Sequence, residues 1–166
     1  KRQVSKQSDT VMLLYLFRDL FDTETRKKNF VFYEDKTLHD SSLSKSTHAI
    51  LANEFDFKEM SYKLFKGAIS VDMGTNMKSS DEGIHSASIG GIWAVYVFGF
   101  GGVMIDKKGL SISPCLPKGW DFLEFPLVYK GTSLRVRVEK NNNVSIQKID
   151  GNSIVIYVKG EKLLIK

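Results

Sequence analysis

The sequence predicts an α+β protein in which helices come first and strands follow. Three observations carry this. Apolar residues recur at helical spacing as far as Phe98; the cluster Gly99-Phe100-Gly101-Gly102 then breaks the pattern; beyond it the period is two, with turn signals between short runs. A run of helices followed by a run of strands implies two structural units rather than a βαβ weave.

The helices can be justified in order. Ser8-Asp9-Thr10 offers caps for a helix from about Val11 to Phe21, apolar on nearly all sides and therefore expected to be buried. Arg26-Lys27-Lys28 begins a shorter amphipathic helix through Phe30 and Tyr33. A third helix opens at Leu43-Ser44 and runs to Phe55. Asp56 to Val71 forms a fourth, with Met60, Leu64, Ala68 and Val71 on one face. Met73 to Gly83 reads as a polar loop, and Ile84 to Phe98 as a fifth, buried helix in which Gly90 and Gly91 allow close approach to another backbone. Five helices of this kind make no obvious bundle and look like part of a larger helical array. The strands are expected to be short and antiparallel: Leu110–Ser113, Leu134–Val138, Val144–Gln147, Ile154–Val158 and Leu163–Ile165. Turns are expected at Lys107-Lys108-Gly109, Pro117-Lys118-Gly119, Lys130-Gly131, Asn141-Asn142-Asn143, Asp150-Gly151 and Lys159-Gly160.

Composition narrows the function. With 42% hydrophobic and 26% charged residues the chain is ordinary globular protein. Its net charge of +5 is spread out, with no basic run interleaved with aromatics, which argues against a nucleic-acid binder. The single cysteine, Cys115, excludes an internal disulfide, reads as a partly buried structural thiol, and makes a cytoplasmic setting the default. The longest apolar run, Ile89 to Val103, is interrupted by glycines and lacks charged flanks, so no membrane span or signal peptide is expected. The sequence opens on Lys1, and we expect a fragment of a longer chain.

Two segments carry chemistry. His39-Asp40-Ser41-Ser42-Leu43-Ser44 packs an imidazole, a carboxylate and three hydroxyls at the opening of the third helix. Asp81-Glu82-Gly83-Ile84-His85-Ser86-Ala87-Ser88 has similar character before the fifth. Unpaired N–H groups and the positive end of a helix dipole, with hydroxyls beside them, suit an oxyanion such as phosphate. The plainer alternative is that one serine caps the helix and the rest are solvated.

These motifs, in order, resemble the C-terminal end of glycoside hydrolase family 65, the maltose, trehalose, kojibiose and nigerose phosphorylases. Lys6-Gln7-Ser8-Asp9 precedes a Leu-rich helix; the His39–Ser44 segment follows Tyr33-Glu34; the Asp81–Ser88 segment leads to Gly91-Ile92-Trp93; then come Gly99–Gly102 and Leu110-Ser111-Ile112-Ser113-Pro114-Cys115-Leu116-Pro117-Lys118-Gly119-Trp120. The resemblance covers nearly the whole chain and is specific to the family, not to the substrate. It implies that residues 1–102 are the last helices of an (α/α)6 toroid and that residues 103–166 are a small antiparallel β-sandwich.

The resemblance also implies an activity. Such enzymes cleave an α-glucosidic bond with inorganic phosphate as co-substrate and invert the anomeric centre to give β-glucose 1-phosphate. Inversion needs an acid on one face of the sugar and a nucleophile on the other. Phosphate is itself the nucleophile, so the protein should supply donors: Ser41, Ser42 and His85, with backbone N–H groups near Gly90 and Gly91. Lys6 and Gln7 match the family's glucose-binding pair. The family's general acid, a glutamate, lies upstream of that pair, so no catalytic residue falls in this segment, and the segment alone is expected to be inactive. Glu34, Glu54 and Glu82 are no substitutes by position. The implied partners are an α-linked glucose disaccharide, phosphate, the rest of the catalytic domain and a second copy in a homodimer, with no other cofactor.

The remaining residues have plainer readings. His39 is expected to order its loop through a backbone carbonyl, His48 to be a packed or surface histidine, and Glu82 to be a dipole partner. Three histidines without clustered spacing argue against a metal site. Trp93 and Trp120 are expected to serve packing. Two other functions stay open: a trehalase-like hydrolase of the same family, which would want a carboxylate base in place of the serines, and a non-catalytic carbohydrate-binding or interaction module on the strand unit.

Overall fold

The computed structural model describes residues 4–73 and 83–166. The stretch between Met73 and Gly83, with Asp81 and Glu82, therefore lies outside the described residues except at its ends. The chain forms two compact units, Lys1–Val95 and Tyr96–Lys166.

The first unit is helical: α1 (Asp9–Leu16), α2 (Thr23–Glu34), α3 (Ser44–Glu54), α4 (Lys58–Met73) and α5 (Ser86–Ala94), with a 3-10 turn at Arg18–Leu20. α2 starts three residues ahead of the expected Arg26, where Asp22 as N-cap accepts a hydrogen bond from the Thr25 N–H at 2.8 Å. α3 is the central helix. Every residue from Ser46 to Asn53 is buried, and α1, α2, α4 and α5 all pack on it. Phe30 of α2 is fully buried, with its ring near those of His48, Phe55 and Phe57. Arg26, only 4% exposed, ties three helices together. Its Nη1 and Nη2 donate to the Glu54 carboxylate at 2.6 and 3.0 Å, and its Nε donates to the Leu14 carbonyl.

Two helices expected to be buried are not. In α1 only Val11 and Leu14 are buried, while Met12, Leu13 and Leu16 are exposed, followed by Phe17 and Leu20. In α5 only Ser88 is buried, and Ile89 and Trp93 are exposed. The helical pattern is present, but among the described residues each helix has one face covered rather than all of them.

The second unit opens on a π-helical turn, Val95–Phe100, and then holds seven strands: β1 (Val103–Asp106), β2 (Gly109–Ile112), β3 (Phe122–Tyr129), β4 (Thr132–Glu139), β5 (Val144–Asp150), β6 (Ile154–Val158) and β7 (Glu161–Ile165). They form a four-stranded sheet, β1-β2-β6-β7, and a three-stranded sheet, β3-β4-β5. Alternation places Leu134, Val136 and Val138 of β4 and Ile154 and Ile156 of β6 in the core. The β3–β4 and β6–β7 hairpins turn on Lys130-Gly131 and Lys159-Gly160, all four residues having positive φ, as the tight primed turns require. One expectation is corrected. Most pairs are antiparallel, but β2 and β6 are parallel, with Ser111 opposite Tyr157. A parallel pair needs a long crossover, and the whole β3–β5 sheet supplies it. Trp120 packs against Tyr96 and Phe100 at centroid distances of 5.4 and 5.3 Å, the packing role expected of it.

Candidate functional site

The His39–Ser44 segment is fixed from both sides. Beside it runs the start of the chain: Ser5 and Thr37 form a parallel bridge, the Ser5 N–H donates to the Lys36 carbonyl, and the Leu38 N–H donates to the Ser5 carbonyl. This lays Gln7 against the serines, and the Ser41 hydroxyl donates to Gln7 Oε1 at 3.2 Å. The same hydroxyl oxygen accepts the Leu43 N–H at the head of α3, so Ser41 does part of a cap's work. Lys6 is exposed beside Gln7.

His39 has φ +52°, a left-handed conformation unusual for a side-chain-bearing residue. Three contacts hold it there. Its Nε2 faces the Glu34 carboxylate at 3.3 Å, its Nδ1 faces the Ser44 hydroxyl at 3.1 Å, and its carbonyl accepts from the Lys45 ammonium. The ring thus orders the loop through side chains, not through a backbone carbonyl as expected. Glu34 also bonds Nδ1 of His48, which is fully buried. Burial raises the Glu34 pKa, but hydrogen bonds from His39 and His48 outweigh it and lower the carboxyl to about 2. Ligand atoms of Glu34, His39 and His48 lie within 4.8 Å of one another, so a cation could be held here, a grouping that sequence spacing concealed. Both histidines hydrogen-bond to Glu34, so the carboxylate is already shared between two imidazoles.

His85 heads α5, and Asp72 at the end of α4 receives it. Asp72 Oδ1 accepts from His85 Nδ1 at 2.8 Å and from the His85 backbone N–H at 3.2 Å. The hydrogen bond from His85 holds the Asp72 carboxyl below the usual carboxylate range. The two chemistry-bearing segments then meet. His39, Asp40, Ser42 and Lys45 from one side and His85 from the other line a cavity of about 180 Å³, closed by Gly67, Ser70 and Val71 of α4. Ser42 and His85 therefore share one cavity, while Ser41 is not among its lining residues and turns its hydroxyl to Gln7. Gly90 and Gly91 do not line it. They lie in the second turn of α5, where N–H groups are spent within the helix. Gly91 serves packing instead: a Cβ there would come within 2.7 Å of Ser46 Oγ on α3.

Neither Glu34 nor Glu54 is a free proton donor. Glu54 is paired with Arg18 and Arg26, and Glu34 is held ionised between two histidines. Glu82 lies outside the described residues.

The profile of the glycosyl hydrolase family 65 central catalytic domain matches residues 1–94, and that of the family's C-terminal domain matches residues 104–165. The chain is 45% identical to a kojibiose phosphorylase of Halothermothrix orenii, over 97% of this chain and 21% of that protein. It is 38% identical to an α,α-trehalose phosphorylase of Thermoanaerobacter brockii, over 99% of this chain and 21% of that protein. Against a maltose phosphorylase of Bacillus subtilis the identity is 35%, over 97% and 21%. A solved structure of a candidate kojibiose phosphorylase from the human microbiome superposes with a TM-score of 0.89 at 34% identity, covering 98% of this chain and 24% of that one. The chain thus spans about a fifth of the length of the curated relatives it matches.

Proposed function

The chain belongs to glycosyl hydrolase family 65, and from that membership we propose that it is the C-terminal part of an inverting α-glucosyl disaccharide phosphorylase and supplies that enzyme's phosphate site. One observation carries the reading: Ser42 and His85, far apart in sequence, line the same cavity beside Lys45. Hydroxyl, imidazole and ammonium groups are donors that suit a phosphate, and none of them is the carboxylate that inverting glycoside hydrolysis uses as its base. In the reaction a phosphate oxygen attacks C1 of the glucosyl unit as the C1–O bond to the leaving sugar breaks. The leaving oxygen takes its proton from an acid that the longer chain contributes. Gln7, bonded to Ser41, would place glucose contacts beside the phosphate, with Lys6 next to it. The helices would complete an (α/α)6 toroid with upstream residues, with residues 103–166 as the appended sandwich. A homodimer is part of the same proposal, and sedimentation of the full-length protein tests it.

The decisive experiment is kinetic. In the full-length enzyme, a Ser41→Ala, Ser42→Ala double change is expected to raise KM for phosphate about tenfold, through loss of the Ser42 hydroxyl and of the Ser41–Gln7 bond that orders its segment. Phosphate dependence that survives the change intact refutes the serine assignment. A hydrolytic reading has one observation in its favour, since Asp40 places a carboxylate on the cavity wall. Product analysis separates the two: β-glucose 1-phosphate supports phosphorolysis, and free glucose formed without phosphate supports hydrolysis.

A further inference from the structure

Asp72 is the least exposed acid near the cavity, with a side chain 2% exposed, yet it belongs to no motif in the sequence. It does not line the cavity; its partner does. Both hydrogen bonds that Oδ1 accepts come from one residue, the ring Nδ1–H and the backbone N–H of His85. An ionised carboxylate can only accept, so this pairing fixes the His85 tautomer with its proton on Nδ1. The backbone bond ties the same carboxylate to the first residue before α5, which limits rotation of the ring. With Nδ1 so occupied, Nε2 is the nitrogen left for the cavity that the ring lines. The ring itself is 35% exposed, open to a ligand while its support is buried.

We propose that Asp72 is a positioning residue for the phosphate nucleophile, holding His85 so that Nε2 addresses the cavity. This rests on the phosphate-site reading above and adds a residue to it. The carboxylate acts at one remove: it touches neither phosphate nor sugar, and by holding Nδ1 and the backbone N–H it keeps the ring turned so that Nε2 meets the phosphate. Asp40, Lys45 and His39 are the other charged or titratable groups lining the cavity.

The test uses the full-length enzyme with inorganic phosphate and the disaccharide. Asp72→Ala is expected to raise KM for phosphate about tenfold, the loss of a charge-assisted hydrogen bond, while KM for the disaccharide stays within twofold. Asp72→Asn keeps an acceptor for Nδ1–H without the charge and should recover part of that loss. Nitrogen NMR of the His85 ring reads the tautomer directly: Nδ1 is protonated in the parent, and the proton moves largely to Nε2 in the neutral ring of Asp72→Ala. If both Asp72 variants keep the parent KM for phosphate while Ser42→Ala and His85→Ala raise it, the positioning role is wrong and the phosphate site stands. If all four leave it unchanged, the phosphate-site reading falls and the role of Asp72 falls with it. An equal rise in KM for both substrates, with the His85 tautomer unchanged, marks general structural damage and also overturns the proposal.

Discussion

Glu34 shows how one side chain can set a loop. It sits at the last position of α2, accepts from His39 and His48, and is held at a pKa of about 2 against an ordinary value of 4.5. A carboxyl depressed in the folded state adds stability that is complete above the unfolded pKa and fades as pH falls from 4.5 toward 2. Glu34→Gln should therefore lower stability at neutral pH by about 2–3 kcal/mol and flatten the acid limb over that interval. Urea midpoints measured from pH 7 to pH 2 check both effects; a parallel offset at every pH would contradict the ionised-carboxylate account. None of this was legible in the sequence. Glu34, His39 and His48 follow no metal or catalytic spacing, and they meet only because α2 and α3 pack together. Asp72 was hidden for the same reason, being one acid at the end of an amphipathic helix. Ser41, Ser42 and His85 could be singled out, because hydroxyls and an imidazole at the heads of two helices form a local pattern, and of the three Ser42 and His85 line one cavity.

At the scale of elements, the end of α3 offers a clean test. The Asp56 N–H donates to the Asn53 carbonyl and the Phe57 N–H to the Ala52 carbonyl, the paired bonds of a Schellman stop. Asp56 holds φ +67°, the position that glycine occupies at least cost. Asp56→Gly is expected to stabilise the protein by about 0.5–1 kcal/mol, read as a raised melting temperature. The exposed Lys58–Asp56 ion pair lost with it counts for little. The helices were legible from their periodicity, and most hairpin turns from their glycines. Strand β3 was not, because Pro126 sits within it. β3 is an edge strand, where a missing N–H can be tolerated, and Pro126 lies opposite Arg135 without breaking the ladder. β1 was missed because it starts one residue after the glycine cluster and is only four residues long. The parallel pairing of β2 with β6 was out of reach, since periodicity gives strands but not their neighbours.

For the whole molecule, the exposed apolar residues Leu13, Leu16, Phe17 and Leu20 are the main departure from a self-sufficient domain. In the 166-residue chain expressed alone we expect self-association through this surface, with a Leu16→Lys, Leu20→Lys double change returning it toward monomer in light scattering. No described helix is long and apolar enough to cross a membrane. The strand unit has a different dependence. β1 and β2 come first in this unit, but β2 finds its second neighbour only in β6, after the whole β3–β5 sheet. A polypeptide stopped short of Ile154 would carry β1–β2 as a lone ribbon, too small to hold itself in water. A protease cut between β5 and β6 would thus undo strands that come well before it, because β6 and β7 act as the lock on β2.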